Sequence, residues 1–188
     1  RLLAKTANVA PATPFNLFGS KEGLLYALLS RTLDEIIRHG LVFEGSDPVN
    51  HVVKAATTAV DMFARDPALM RPLYQVLLGV NDPVQRPRFM HRSMGFWRTA
   101  IASLPREGQL SGEHQREALV GALQAQFLGL LEYWVYQEID DTGFRDRAVF
   151  GLLATLSSAL DQQARLAIAP LLRDTADRLA PLYPPRDG

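Results

Sequence analysis

Apolar residues recur along this chain at intervals of three and four. Leu24, Leu25, Leu28, Leu29, Leu33, Ile36 and Ile37 line one side of a helix predicted from about Ser20 to His39. Val49, Val52, Val53, Ala56, Val60 and Phe63 do the same in the next segment. Asp47-Pro48, Asp66-Pro67 and Asp82-Pro83 each place a carboxylate cap before a proline at the first helical position. The aspartate accepts from orphan backbone N–H groups there, and proline has none to leave unmet. Gly40, Gly79 and Gly108 close segments. No run of alternating β-branched residues interrupts this pattern, so the chain is predicted to be all-α.

Two later segments differ from the rest. From Ser111 to about Ile139, Leu119, Leu123, Phe127, Leu130 and Trp134 form one stripe, and Val120, Leu128, Leu131 and Val135 widen it beyond one face. The helix from about Phe144 to Leu160 is similar, with Val149, Phe150, Leu152, Leu153, Leu156 and Leu160. A helix apolar over much of its circumference needs cover on more than one side. The pair either lies deep in one chain's core or also meets a second copy. A last helix is predicted from Pro170 to Leu179, ahead of a proline-rich tail, 181–188, that frays.

Composition narrows the partners. Twenty basic and twenty acidic residues leave no net charge among 188 residues, so binding to nucleic acid needs a local patch. There are no cysteines, which excludes disulfides and thiolate zinc sites. No apolar run approaches the roughly 18 residues of a membrane span, and no signal-peptide pattern opens the chain. A cytoplasmic protein without membrane contact is expected.

Recognisable chemistry is scarce. His39, His51, His91 and His114 lie far apart and make no metal pair at helical spacing. Gly19-Ser20-Lys21 lacks the upstream glycine and strand of a phosphate loop. Asp34-Glu35 and Asp140-Asp141 are adjacent acids, whose side chains diverge on a helix. Nothing argues for an enzyme, and no cofactor is expected.

The stretch from Leu3 to Glu22 has a different character: two very short helices around a tight turn. Leu3-Ala4-Lys5-Thr6-Ala7-Asn8-Val9-Ala10 followed by Thr13-Pro14-Phe15-Asn16-Leu17-Phe18-Gly19-Ser20-Lys21-Glu22 resembles the helix-turn-helix signature of the tetracycline-repressor family of transcriptional regulators. The resemblance implies a truncated DNA-binding domain and connecting helix at 1–40 and a helical regulatory and dimerisation domain at 47–180. The family carries a further helix ahead of this point, so the 188 residues are expected to belong to a longer protein. Asn8 stands where the family has a turn glycine, and asparagine is the next-best residue for a left-handed backbone. Ala10 replaces a capping serine, at a cost of roughly 1 kcal/mol. Phe15 replaces a tyrosine whose hydroxyl reaches phosphate. Val9 and Phe18 are expected to plug a small core beneath the turn, and Ser20 to cap the next helix.

By that resemblance Pro11, Ala12, Thr13, Phe15, Asn16 and Lys21 contact operator DNA, with Thr13 and Asn16 on the exposed face and Lys21 beside a phosphate. A small hydrophobic effector is expected among the middle helices, near Phe63, Tyr74, Met94, Trp97, Gln126, Phe127 and Trp134. Such aromatic and methionine-rich surroundings also build ordinary cores. Gln124 and Gln126 are the polar candidates on an otherwise apolar helix. A homodimer is expected through Leu128, Val135, Val149, Leu152, Leu153 and Leu156. The function implied is a ligand-responsive regulator, more often a repressor, on a near-palindromic operator. The alternative is an all-α enzyme or small-molecule carrier using the same apolar cavity.

Overall fold

A computed structural model describes residues 8–10, 12–42, 45, 47–79, 82–105 and 112–180. The expected helix before Asn8, the contact residue Pro11, the closing Gly108 and the tail 181–188 lie outside them. The described residues form an all-helical fold with no strand. In chain order the helices are α1 (Thr13–Phe18), α2 (Lys21–Gly40), α3 (Pro48–Ala64), α4 (Pro67–Gly79), α5 (Gln85–Ala100), α6 (Glu113–Val135), α7 (Asp141–Ser157) and α8 (Gln162–Leu179).

The helix starts follow the capping chemistry. The Ser20 hydroxyl accepts from the Gly23 N–H at 2.9 Å, and Asp47 accepts from Val49 at 2.8 Å and Asn50 at 3.3 Å. Asp140 and Asp161 do the same for Gly143, at 2.6 Å, and Ala164, at 2.8 Å. At Asp82 the expected start is displaced. Its carboxylate accepts from Val84 at 2.9 Å and Gln85 at 2.7 Å, so Pro83 and Val84 form a turn and α5 begins at Gln85.

The last helix corrects the sequence reading. It begins at Gln162, under the Asp161 cap, and carries Pro170 in its interior. Proline removes one ladder bond, to the carbonyl of Leu166, and Leu166 is exposed at the surface. Pro72 sits inside α4 in the same way, itself exposed.

Helix α7 is central, packing against α3, α6 and α8. Its broad apolar circumference is consumed by these three neighbours within one chain. Helix α6 packs on α4, α5 and α7, and α2 on α3, α4 and α5. Gly40 ends α2 where it passes closest to α3 and α5; a β-carbon there would stand 3.3 Å from the Phe96 ring and 3.5 Å from the Ala55 carbonyl oxygen. Ion pairs staple the surface: Arg98 grips Glu117 with two bonds of 2.6 and 2.9 Å between α5 and α6, and Arg92–Asp34 and Arg145–Asp61 join α5 to α2 and α7 to α3.

The expectation that no segment is apolar enough to span a membrane meets one exception. Glu113–Val135 has the length and a mean hydropathy of 1.2 that such a span requires. In this fold it packs on three other helices, as core helices of the same composition do.

Candidate recognition helix and effector chamber

The opening turn is built as the residues dictate. Asn8 takes a left-handed backbone with φ of 52°, the conformation asparagine tolerates best after glycine. Gly19 closes α1 at φ of 73°. Between them α1 is uncapped by any side chain: its N-cap is Ala12, and Pro14 lies in its first turn, where no N–H is needed. None of its residues is buried. Thr13 is half-buried, while Ala12, Phe15, Asn16 and Lys21 are exposed, Phe15 to 60%.

Val9 is 40% and Phe18 38% exposed, and the helix expected to pack beside them lies outside the described residues. What holds α1 against α2 is a backbone approach that sequence reading missed. A β-carbon at Gly23 would overlap the Phe18 carbonyl oxygen and stand 3.2 Å from its carbonyl carbon. Only glycine admits the end of α1 into the first turn of α2. A glycine at the third helical position, against its poor propensity, was the available signal.

Farther along, α2 to α6 enclose a cavity of about 30 Å³. Leu33 and Ile36 line it from α2, Ala59 and Phe63 from α3, and Tyr74 from α4. Phe89, Ser93, Phe96 and Trp97 come from α5, and Phe127, Leu128 and Leu131 from α6. Of the expected effector residues, Phe63, Tyr74, Trp97 and Phe127 thus converge on one chamber. Their rings also pack on one another: Phe63 on Tyr74 edge-on at 4.7 Å, and Trp97 on Phe127 at 5.6 Å. The void is correspondingly small, about a fifth of the roughly 150 Å³ of a cavity that takes a single ring.

Three expected effector residues lie elsewhere. Trp134 is fully buried and stacks on Phe144 at 5.6 Å. Its indole N–H donates to Asp141 at 2.7 Å, and the Arg71 guanidinium lies 4.7 Å over its ring. It is a structural pin between α4, α6 and α7. Gln126 lines a smaller void beside the chamber together with Trp97 and Phe127, and its amide bonds Thr155 Oγ1 at 3.0 Å. Gly151 has no side chain to block it; a β-carbon there would overlap the amide. Met94 is half-buried against the core outside the chamber wall.

The expected dimer residues are corrected for a related reason. Leu128 lines the chamber, and Val149, Leu153 and Leu156 are buried in the core. Val135 at 0% and Leu152 at 1% exposure have no surface to offer a second copy. The exposed side of α6 carries Ala118, Ala122 and Ala125, with open space beside Gly121 and Gly129, between polar residues at its start and Glu132 and Tyr133 at its end; Arg145 and Ala154 are exposed on α7.

The polar groups near the chamber are few. Ser93 donates its hydroxyl to Gln124 Oε1 at 2.8 Å, and Gln124 is buried. The Gln124 amide nitrogen faces the Met90 thioether at 3.8 Å, a weak acceptor. Burial raises the Tyr74 phenol far above its ordinary range, so it stays neutral. Tyr26 packs on Phe89 at 6.3 Å, with its hydroxyl buried near Arg86. Burial raises its pKa too, opposed by nearby Arg86. No group of three or more His, Asp or Glu able to hold a metal occurs among the described residues. Comparison with known proteins returns no match: no family model, no curated protein and no solved structure.

Proposed function

We propose that this chain is a ligand-responsive, DNA-binding transcriptional regulator acting as a homodimer, with repression as its mode. The observation that carries the reading is the head: a left-handed Asn8, a six-residue α1 presenting Thr13 and Asn16 three positions apart, and a Ser20-capped α2 with Lys21 at its start. A lone helix of six residues is not stable in water, and it earns its place by what it presents. Thr13 and Asn16 suit base edges in a major groove, and Lys21 suits a backbone phosphate.

A second copy sits, in this reading, against the outward face of α6 and α7. Alanine and glycine there let helices approach closely, and two-fold symmetry would set the two pairs in a four-helix bundle. That bundle would hold two heads about 34 Å apart, one turn of DNA. An effector in the chamber touches α2 through Leu33 and Ile36, the helix whose other end carries α1. A ligand favouring one position of α2 would shift the population of DNA-competent dimers.

The test is a gel shift with the protein on its own upstream DNA. Retarded DNA that is released when Thr13, Asn16 and Lys21 are all changed to alanine supports the assignment. Unchanged affinity in that triple variant overturns it.

A further inference from the structure

Helix α8 carries Ala164, Ala167, Ile168 and Leu171 at helical spacing, one apolar stripe that needs a neighbour to cover it. The helix packs chiefly on α7, and of these four residues only Ile168 is buried. Opposite the stripe stand the first turn of α3 and the Leu104–Pro105 segment after α5. Between them lies a groove of about 260 Å³, which Leu160 also lines. It is larger than the roughly 150 Å³ of a cavity that takes a benzene ring, and it shares no lining residue with the chamber.

Asp47 is the one charged side chain among the described residues that line this groove. Its carboxylate accepts from neutral donors: the Val49 and Asn50 N–H groups at 2.8 and 3.3 Å, and the Asn50 side-chain amide at 2.9 Å. A carboxylate has about four acceptor positions, so one is left. No cation among the described residues pairs with it. The α3 N-terminus offsets about half of its charge, and the remainder favours a cation over an anion. Buried Arg116 directs its guanidinium to the Leu104 and Ile101 carbonyls and does not line the groove.

We propose that this groove binds a compact apolar compound with a positively charged, hydrogen-bond-donating head, its body against Leu104, Leu160 and Ile168 and its head at the Asp47 carboxylate. The body supplies the attraction, because half-buried Leu171 and exposed Ala167 are removed from water beneath it. The head supplies the selectivity. A neutral alcohol keeps a donor for the carboxylate but no charge, and a carboxylate head meets like charge. Asp47 is exposed, so the discrimination is that of a surface ion pair.

Amide NMR of the whole chain at neutral pH tests this with phenethylamine, 2-phenylethanol and 3-phenylpropanoate, which share one body and differ in the head. Saturable shifts are expected at the amides of Ala164, Ala167 and Ile168. Phenethylamine should bind about threefold tighter than the alcohol, the size of an exposed ion pair, and the alcohol about threefold tighter than the acid. Asp47→Asn keeps the cap of α3 and removes the charge, so the three affinities should become equal. Ala167→Trp fills the groove from an exposed helical position and should abolish all three with helical content retained. The acid binding as tightly as the amine overturns the proposal, as does an amine preference that survives Asp47→Asn. So does the absence of saturable shifts, or their appearance only outside the groove. Shifts at the same amides on diluting the protein alone would make a second copy the occupant and overturn it too. If Ala167→Trp does not fold, Asp47→Asn decides by itself. DNA binding enters none of these readouts, so a failed gel shift leaves the groove standing and a failed titration leaves the regulator reading standing.

Discussion

The backbone of Phe18 occupies the space that a β-carbon of Gly23 would need. This one approach seats α1 on α2, because α1 itself buries no side chain. Gly23→Ala should therefore displace α1 while improving the local helix propensity of α2 by up to about 1 kcal/mol. Operator affinity should fall about tenfold or more, the equivalent of roughly 1.4 kcal/mol, with the thermal midpoint unchanged or raised. Gel shift and calorimetry on the same preparation check it; a variant that binds DNA normally would show that α1 does not need this seat.

Lys21 and the pair Thr13 and Asn16 should separate by the kind of damage they cause. On the proposed DNA-binding reading, Lys21→Ala should remove a phosphate contact, so that binding weakens on all sequences and the log-log salt slope drops by about one. Thr13→Ala and Asn16→Ala should change which base is preferred, at about 1–3 kcal/mol per lost base contact. Binding measured across salt concentrations and single-base operator variants distinguishes the two.

Trp134 and Asp141 give a stability test independent of function. Asp141→Ala leaves a buried indole N–H without its acceptor and should cost about 1–3 kcal/mol. Asp141→Asn keeps an oxygen in place and gives up mainly the exposed pairing with Arg71 at 3.5 Å, so it should cost about 1 kcal/mol or less. Urea denaturation of the two variants compares them directly. Equal losses would mean that the charge, not the hydrogen bond, matters.

Association should respond at the surface of α6 and not in its core. Ala125→Arg places a bulky cation on the outward small-residue face and should yield a folded monomer. Leu152→Glu buries a charge among α3, α6 and α8 and should cost about 4 kcal/mol or more, unfolding the chain. Sedimentation and circular dichroism read the two effects separately. A dimer unaffected by Ala125→Arg moves the interface off this face.

Much of the fold was legible because its signals are local. A run of apolar residues at helical spacing has one solution whatever surrounds it, and Ser20, Asp47 and Asp161 cap with their own oxygens. The left-handed Asn8 and the outward Asn16 follow from chemistry within a few residues. Pro170 misled because a proline opens a helix as readily as it sits on the wet side of one, and only its exposure in α8 tells which.

The tertiary structure decided everything that depends on which apolar face meets which neighbour. Helices α6 and α7 are apolar nearly all round, so periodicity could not say which side faces outward. Packing against α3 and α8 drew Leu152 and Leu156 inward and left Ala118, Ala122 and Ala125 on the surface. Gln126 and Trp134 look in sequence like polar and aromatic guests for a ligand, yet their partners, Thr155 and Asp141, come from the next helix. Burial of a polar atom demands a partner but does not name it. That choice is made only when the helices close on one another.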